Sequence, residues 1–268
     1  MMNKIENDLY QFAFLPNWPS CLASLESKAI RENWKFTVPD LSKRNQDNPI
    51  LQNYIEHTFS RLSILYNDSE DNFRNNWISI IDDKKVCINT GLYTPEYNEI
   101  FMCFTKNNIP NKQTWILDSF VEESDPKLFD FPSLPRRAKY ITNIEDLIFD
   151  TSLELRVSGA HILRDEENLK RIPEDIKSKP NLLLLFNGAI EISKKRINLN
   201  YKTAVPQFFE GKIQLLVPIC LQDISKTDLV LVVSRINDVY IGHTCLTLDM
   251  AYNNARLLTK PEAEWLAR

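Results

Sequence analysis

Apolar positions recur at helical period in three stretches and at strand period in many more. Ile50, Leu51, Tyr54, Ile55, Phe59, Leu62 and Leu65 fall on one face of a helix. Asp47 or Asn48 stands where a cap belongs, Pro49 sits in the first turn where a missing N–H costs nothing, and Asn67-Asp68-Ser69 closes the segment. His57 lies beside that apolar face and reads as structural. A second helix is expected over residues 181–198, with 182–186, Ala189, Ile190 and Ile197 as its buried side. Its last turns carry Lys194-Lys195-Arg196, which complement the helix dipole. A third helix is expected over 249–258, with Asp249 as N-cap, followed by a last turn with a Thr259-x-x-Glu262 capping box and Pro261 just inside it.

Strand-like runs fill the rest. Residues 77–81 and 85–89 flank Asp82-Asp83-Lys84 as a hairpin, and 100–105 and 114–121 read as two more strands. Residues 153–158 suggest another, ending at Gly159 and His161. The segments 204–209, 213–221, 229–236 and 239–248 form a C-terminal antiparallel meander, with turns at Glu210-Gly211-Lys212 and Asn237-Asp238. Strands grouped together rather than alternating with helices predict an α+β fold of mixed and antiparallel sheets with packed helices. Residues 1–45 hold Pro16, Pro19 and Pro39 among Tyr10, Phe12, Phe14, Trp18, Trp34 and Phe36 without a period. They are expected to form an extended arm packed on the body. The expectation is one domain over residues 1–268; a boundary, if the chain has one, falls in the acidic and then proline-bearing surface connection 122–137.

Composition removes several functions. Only five glycines occur in 268 residues, and the closest two, Gly188 and Gly211, are far apart. Phosphate-cradling loops that need two glycines within a turn are therefore absent: the dinucleotide fingerprint, the P-loop and the kinase glycine loop. The beginning Met1-Met2-Asn3-Lys4-Ile5-Glu6 does not read as a signal peptide, and the longest apolar run, 215–221, is broken by Pro218 and too short to span a membrane. The five cysteines are odd in number and form no C-x-x-C pair, so they read as small core hydrophobes. A cytoplasmic protein with no membrane partner is expected.

Charge is uneven. Residues 1–150 carry 16 basic and 22 acidic side chains, against 16 and 14 in residues 151–268. Within 170–202, eight bases face three acids. Such a stripe suits an anionic ligand or a short stretch of RNA, and equally a solvated helix face.

Two polar clusters are the candidates for chemistry. In the first, residues 196–207, Arg196 and Lys202 supply charge-assisted donors, Asn200 and Gln207 supply amides able to read phosphate, ribose or base edge, and Tyr201 can stack on a base. Helix capping and a polar strand face explain the same residues without a ligand. In the second, Asp249, Asn253 and Arg256 share one helix face, which suits a site edge or a buried polar network. His161, at a strand end, is a candidate general acid/base or a buried, hydrogen-bonded histidine. The three histidines are too dispersed for a local metal motif. Asp249 is a candidate to bind a divalent cation or orient a base, and no cofactor is indicated.

The words ILQNYIEHTFSRL (50–62), Asn89-Thr90-Gly91-Leu92, Ala160-His161-Ile162-Leu163, residues 196–207, LTLDMAYNNARL (246–257) and Trp265-Leu266 run through most of the chain. In them the sequence resembles a bacterial family known as domain of unknown function 3825. The resemblance implies a link to RNA, because members are often fused to RNA-binding modules such as cold-shock or OST-HTH domains. It brings no reaction with it. The expected function is RNA or nucleotide binding in a cleft built by the C-terminal sheet and the 181–202 helix. As an enzyme the chain would act on phosphoryl groups, with His161 and Asp249 catalytic and Arg196, Asn200, Tyr201, Lys202, Gln207, Asn253 and Arg256 binding ligand. The alternatives are a non-catalytic RNA- or protein-binding module in a stress or defence system, and an interaction scaffold using the aromatic N-terminal arm.

Overall fold

A computed structural model describes residues 4–37 and 47–267. Pro39, with the rest of the expected arm from residue 38 onward, lies outside the described residues. The chain divides into two units, Met1–Tyr140 and Ile141–Arg268. Among the described residues each unit is built on one five-stranded sheet with packed helices, an α+β fold.

In the first unit the Asp8 carboxylate accepts from the backbone N–H groups of Tyr10 and Gln11, starting α1 (Leu9–Phe12), which runs straight into β1 (Ala13–Phe14). The chain beyond β1 is not the expected extended arm. Residues Trp18–Lys28 form a helix, α2, with Trp18, Leu22 and Leu25 buried on one face. The prolines suggested irregular chain. Pro19, however, stands in the first helical turn, where its fixed φ and missing N–H are tolerated. α3 (Pro49–Asp68) follows the predicted helix, with ten of its residues buried. Asn48 occupies the N-cap position but makes no cap; its amide donates to Glu26 instead, at 2.8 Å.

β2 (Ile78–Ile81), β3 (Lys85–Tyr93), β4 (Glu99–Lys106) and β5 (Trp115–Glu122) make an antiparallel meander, and β1 adds parallel to β5, with Ala13 opposite Trp115. The β2–β3 turn places Asp82 and Asp83 at φ 48° and 51°, a left-handed turn that matches strand twist. Phe12 joins helices to sheet, its ring 4.9 Å from Phe59 and 5.5 Å edge-on from Phe104. The opposite face of the sheet holds Cys87, Phe101, Cys103 and Val121 under Leu128 and Phe131. The segment 122–137 is therefore more than a surface connection: its leucine and phenylalanine cover an apolar sheet face that would otherwise meet water. Asn89–Tyr93 departs from regular register with β4; there Gly91 takes φ 74°, and its N–H donates to Asn89 Oδ1.

The second unit opens with β6 (Glu154–Arg156), followed by α4 (Gly159–Ile162), α5 (Glu166–Arg171), α6 (Glu174–Lys177) and α7 (Leu182–Leu199). β7 (Val205–Phe209), β8 (Lys212–Ile219), β9 (Leu229–Ile236) and β10 (Val239–Leu246) form the meander, and β6 lies parallel to β10. Pro218 stays within β8, beyond its last residue paired with β7, so no ladder bond is lost. Its carbonyl accepts from the Ser193 hydroxyl of α7.

Phe186, Ala189, Ile190 and Ile197 of α7 pack on Leu215, Val217, Leu231, Val233 and Tyr240 of the sheet. The expected buried side of α7 is narrower than its sequence suggests. Leu183 and Leu184 are exposed, because an unbroken apolar run covers all faces of a helix and only one of them meets the sheet.

α8 (Leu248–Ala255) is capped by Thr247, whose hydroxyl accepts from Met250 N at 3.3 Å. Asp249 is thus a first-turn residue and not the cap. The Thr259–Glu262 capping box is not realised: no helix follows, and the final turn closes on the carbonyl of Ala263.

One side-chain device completes the second sheet. β6 pairs with β10 only as far as Ile241. Beyond it, Cys245 is served by α5: Asn168 Oδ1 accepts its N–H at 3.1 Å, and Arg171 Nη1 donates to its C=O at 2.5 Å. The same oxygen of Asn168 accepts from the Thr244 hydroxyl at 2.6 Å, while Asn168 Nδ2 donates to Ile162 O at 3.2 Å.

Candidate functional site

The end of α7 and the start of β7 are joined by a tight turn, and this turn forms one wall of a groove. Asn200 ends the helix, its N–H donating to Arg196 O at 2.9 Å. Its side-chain oxygen then accepts from Lys202 N at 3.1 Å, which closes a single 3-10 turn over Tyr201–Thr203. That geometry turns Tyr201 and Lys202 outward, and Tyr201 is 57% exposed. The other wall is the C-terminal segment, tied down where Trp265 Nε1 donates to Thr203 O at 2.9 Å. The groove between them has a volume of about 1020 Å³. Its cations are Arg196, Lys202 and Lys260, its carboxylates Glu262 and Glu264, and Asn200, Ser225 and Thr259 supply neutral polar groups. Arg196 is half-buried, with Nη1 3.2 Å from Cys220 Sγ.

Four of the expected ligand residues thus line one groove: Arg196, Asn200, Tyr201 and Lys202. The other candidates stand elsewhere. Gln207 is buried and its amide is occupied, donating to Gln214 at 2.8 Å and accepting from Asn254 at 3.1 Å. Asn253 is half-buried beside Asn254, and Arg256 is buried at the end of α8. Asp249 sits in the first turn of α8, and His161 is exposed on α4. None of these five lines the groove. Among the described residues, no group of three or more His, Cys, Asp or Glu side chains is placed to hold a metal ion.

The basic stripe of residues 170–202 also breaks up in three dimensions. Lys170, Lys177 and Lys194 are each paired with a carboxylate one helical turn away, at 2.6, 3.1 and 2.7 Å. Arg171 is used in the edge of β10. What remains for a ligand is the exposed Lys179 ahead of α7 and the short patch at the end of α7.

Sequence reasoning passed over Lys260, Ser225 and Thr259. Lys260 lies 58 positions from Lys202 in the chain, and nothing local marks the two as neighbours. The one available signal was Trp265, an aromatic near the end of the sequence whose indole N–H needs a buried acceptor.

Among the described residues no helix is long and apolar enough to cross a membrane. Neither a curated protein nor a solved structure matches the chain. A family model does, over residues 25–265, which takes in every described strand except β1 together with the groove, and the chain accordingly belongs to the family described as domain of unknown function (DUF3825).

Proposed function

We propose that the second unit binds single-stranded RNA in the groove between the 3-10 turn and the C-terminal segment. The observation that carries this reading is the placement of an exposed tyrosine ring among three cations, Arg196, Lys202 and Lys260, on the walls of one groove. Non-specific recognition of a single strand needs cations that follow the phosphates and an aromatic face on which a base stacks. Asn200, Ser225 and Thr259 add donors and acceptors for ribose or phosphate oxygens. Glu262 and Glu264 set an electrostatic limit on the backbone path, which on this reading runs along the Arg196–Lys202 wall and meets the facing wall at Lys260. Binding asks nothing of His161 or Asp249, which lie outside the groove.

Fluorescence anisotropy with a labelled oligouridylate, measured over a salt series, tests the reading. Three phosphate contacts predict a log–log salt slope of about −2 for a single strand. Lys202→Glu with Lys260→Glu flattens that slope. Tyr201→Ala weakens affinity by about 5- to 150-fold, the worth of one stacked base. Absence of binding at low salt, or an unchanged slope in the double variant, overturns the proposal in favour of a protein-interaction module.

A further inference from the structure

Cys87 and Cys103 stand directly opposite each other on β3 and β4. The ladder around them fixes which kind of pair they form. Lys106 N donates to Lys84 O at 2.9 Å, so Lys84 and Lys106 are a hydrogen-bonded pair. Alternation then makes Val86/Phe104 and Ile88/Met102 hydrogen-bonded pairs and leaves Cys87/Cys103 at a non-hydrogen-bonded position. The other edge of β4 agrees: Glu123 N donates to Glu99 O, which directs Glu99, Phe101 and Cys103 toward β5. Opposed Cα atoms at such a position lie about 4.5 Å apart with their side chains close. A disulfide spans Cα separations of roughly 4.4–6.8 Å. Both thiols are free, and they project onto the sheet face covered by Leu128 and Phe131.

The two thiols are not equivalent. Cys87 is fully buried, whereas Cys103 reaches the wall of a small pocket of about 170 Å³ that also includes Lys85, Asp118, Lys127 and Phe131. Lys127 is bridged to Asp118 at 2.7 Å and lies close enough for its charge to act on Cys103. The hydrogen bond with Cys103, together with burial, holds the Cys87 thiol above its ordinary value.

We propose that Cys103 and Cys87 form an oxidisable pair in which a small hydroperoxide entering this pocket converts the two thiols to a cross-strand disulfide. In the first step the Cys103 sulfur attacks one peroxide oxygen. The O–O bond breaks, the thiol proton goes to the departing oxygen, and Cys103 becomes a sulfenic acid as hydrogen peroxide yields one water. In the second step the Cys87 sulfur attacks the Cys103 sulfur, the S–O bond breaks, and the hydroxyl leaves with the Cys87 proton as a second water. Two thiols lose two electrons, and one peroxide gains them.

The full chain is treated with a small molar excess of hydrogen peroxide, then denatured, alkylated and mapped by mass spectrometry. Two of the five thiols are expected to disappear, with the peptides carrying Cys87 and Cys103 linked and two hydrogens lighter, and dithiothreitol should restore both. In Cys87→Ser, Cys103 should accumulate as a sulfenic acid that dimedone traps; in Cys103→Ser, Cys87 should remain a thiol. The mapping on the unaltered chain decides the matter even where a variant fails to fold. Full alkylation of both cysteines after oxidation of Cys21 or Cys220, or conversion of Cys103 to its sulfonic acid without a cross-link, overturns the proposal.

Discussion

Replacing Asn168 with alanine separates what a helix side chain does for a sheet edge from what it does for its own helix. Asn168 is 3% exposed, and its side chain makes four hydrogen bonds: it accepts from Cys245 N, Thr244 Oγ1 and Arg171 Nη1 and donates to Ile162 O. The Thr244 hydroxyl can rotate, and Arg171 keeps its bond to the Cys245 carbonyl. The Cys245 N–H cannot move, and one such buried orphan costs about 1–3 kcal/mol. With the Ile162 carbonyl also losing its donor, Asn168→Ala should destabilise the second unit by about 2–4 kcal/mol. For an m-value of roughly 2 kcal/mol/M, the urea midpoint then falls by about 1–2 M at unchanged m. Hydrogen exchange of the β10 peptide gives the local readout, because the Cys245 amide should lose protection before its neighbours. Asn168→Asp is the discriminating control. It keeps the accepting oxygen and adds charge toward Arg171, so it should retain most of the stability while losing only the bond to Ile162. If the aspartate variant is as unstable as the alanine variant, or if Cys245 stays protected in both, the asparagine is not serving the strand edge and the argument fails.

Two other perturbations test the first unit. Gly91→Ala meets a left-handed backbone at φ 74° and places Cβ 2.6 Å from Tyr54 Oη. It should cost about 1–2 kcal/mol for the backbone and a further ~1–3 for crowding, and a thermal melt within error of the parent would show that this irregularity relaxes freely. For Asp118, burial raises the carboxyl but the hydrogen bonds from Lys127 and Ser119 outweigh it, so the native pKa lies below the ordinary 3.8. Its contribution is therefore complete above that value and fades as pH falls through the native one. Lys127→Met should remove this part of the acid limb in a pH series of urea midpoints; an unaltered limb would count against the Asp118–Lys127 pair.

Strand and helix periods carried much of the architecture, because every sheet strand except the two shortest runs for four residues or more and buries alternate or continuous apolar positions. α2 was hidden by Pro16 and Pro19, since proline signals a break everywhere except in a first turn. The exposure of Leu183 and Leu184 was hidden for the opposite reason: periodicity cannot tell which side of an apolar run will be covered. Arg196, Asn200, Tyr201 and Lys202 lie within seven positions, so their shared wall was legible as a word in the sequence. The facing wall was not, because Lys260 and Trp265 reach it only after the whole meander has been laid down. The opposition of Cys87 and Cys103 likewise depends on hairpin register, which a count of cysteines cannot supply.

The parallel pairing of β1 with β5 has a consequence for the order of events during synthesis. Ala13 and Phe14 leave the ribosome early, yet their partners, Trp115 and Ile116, emerge only about a hundred residues later. At roughly 5–20 residues per second this is an interval of about 5–20 s. Throughout it, the start of the chain has no sheet edge to join, and Trp18, Leu22 and Leu25 have no β5 to pack against. In the second unit β6 likewise waits for β10, with Glu154 opposite Val239, whereas within each meander a strand meets its predecessor after a short turn or loop. A stalled chain released before residue 115 should therefore expose this aromatic beginning to chaperones and proteases, and one released after residue 122 should not.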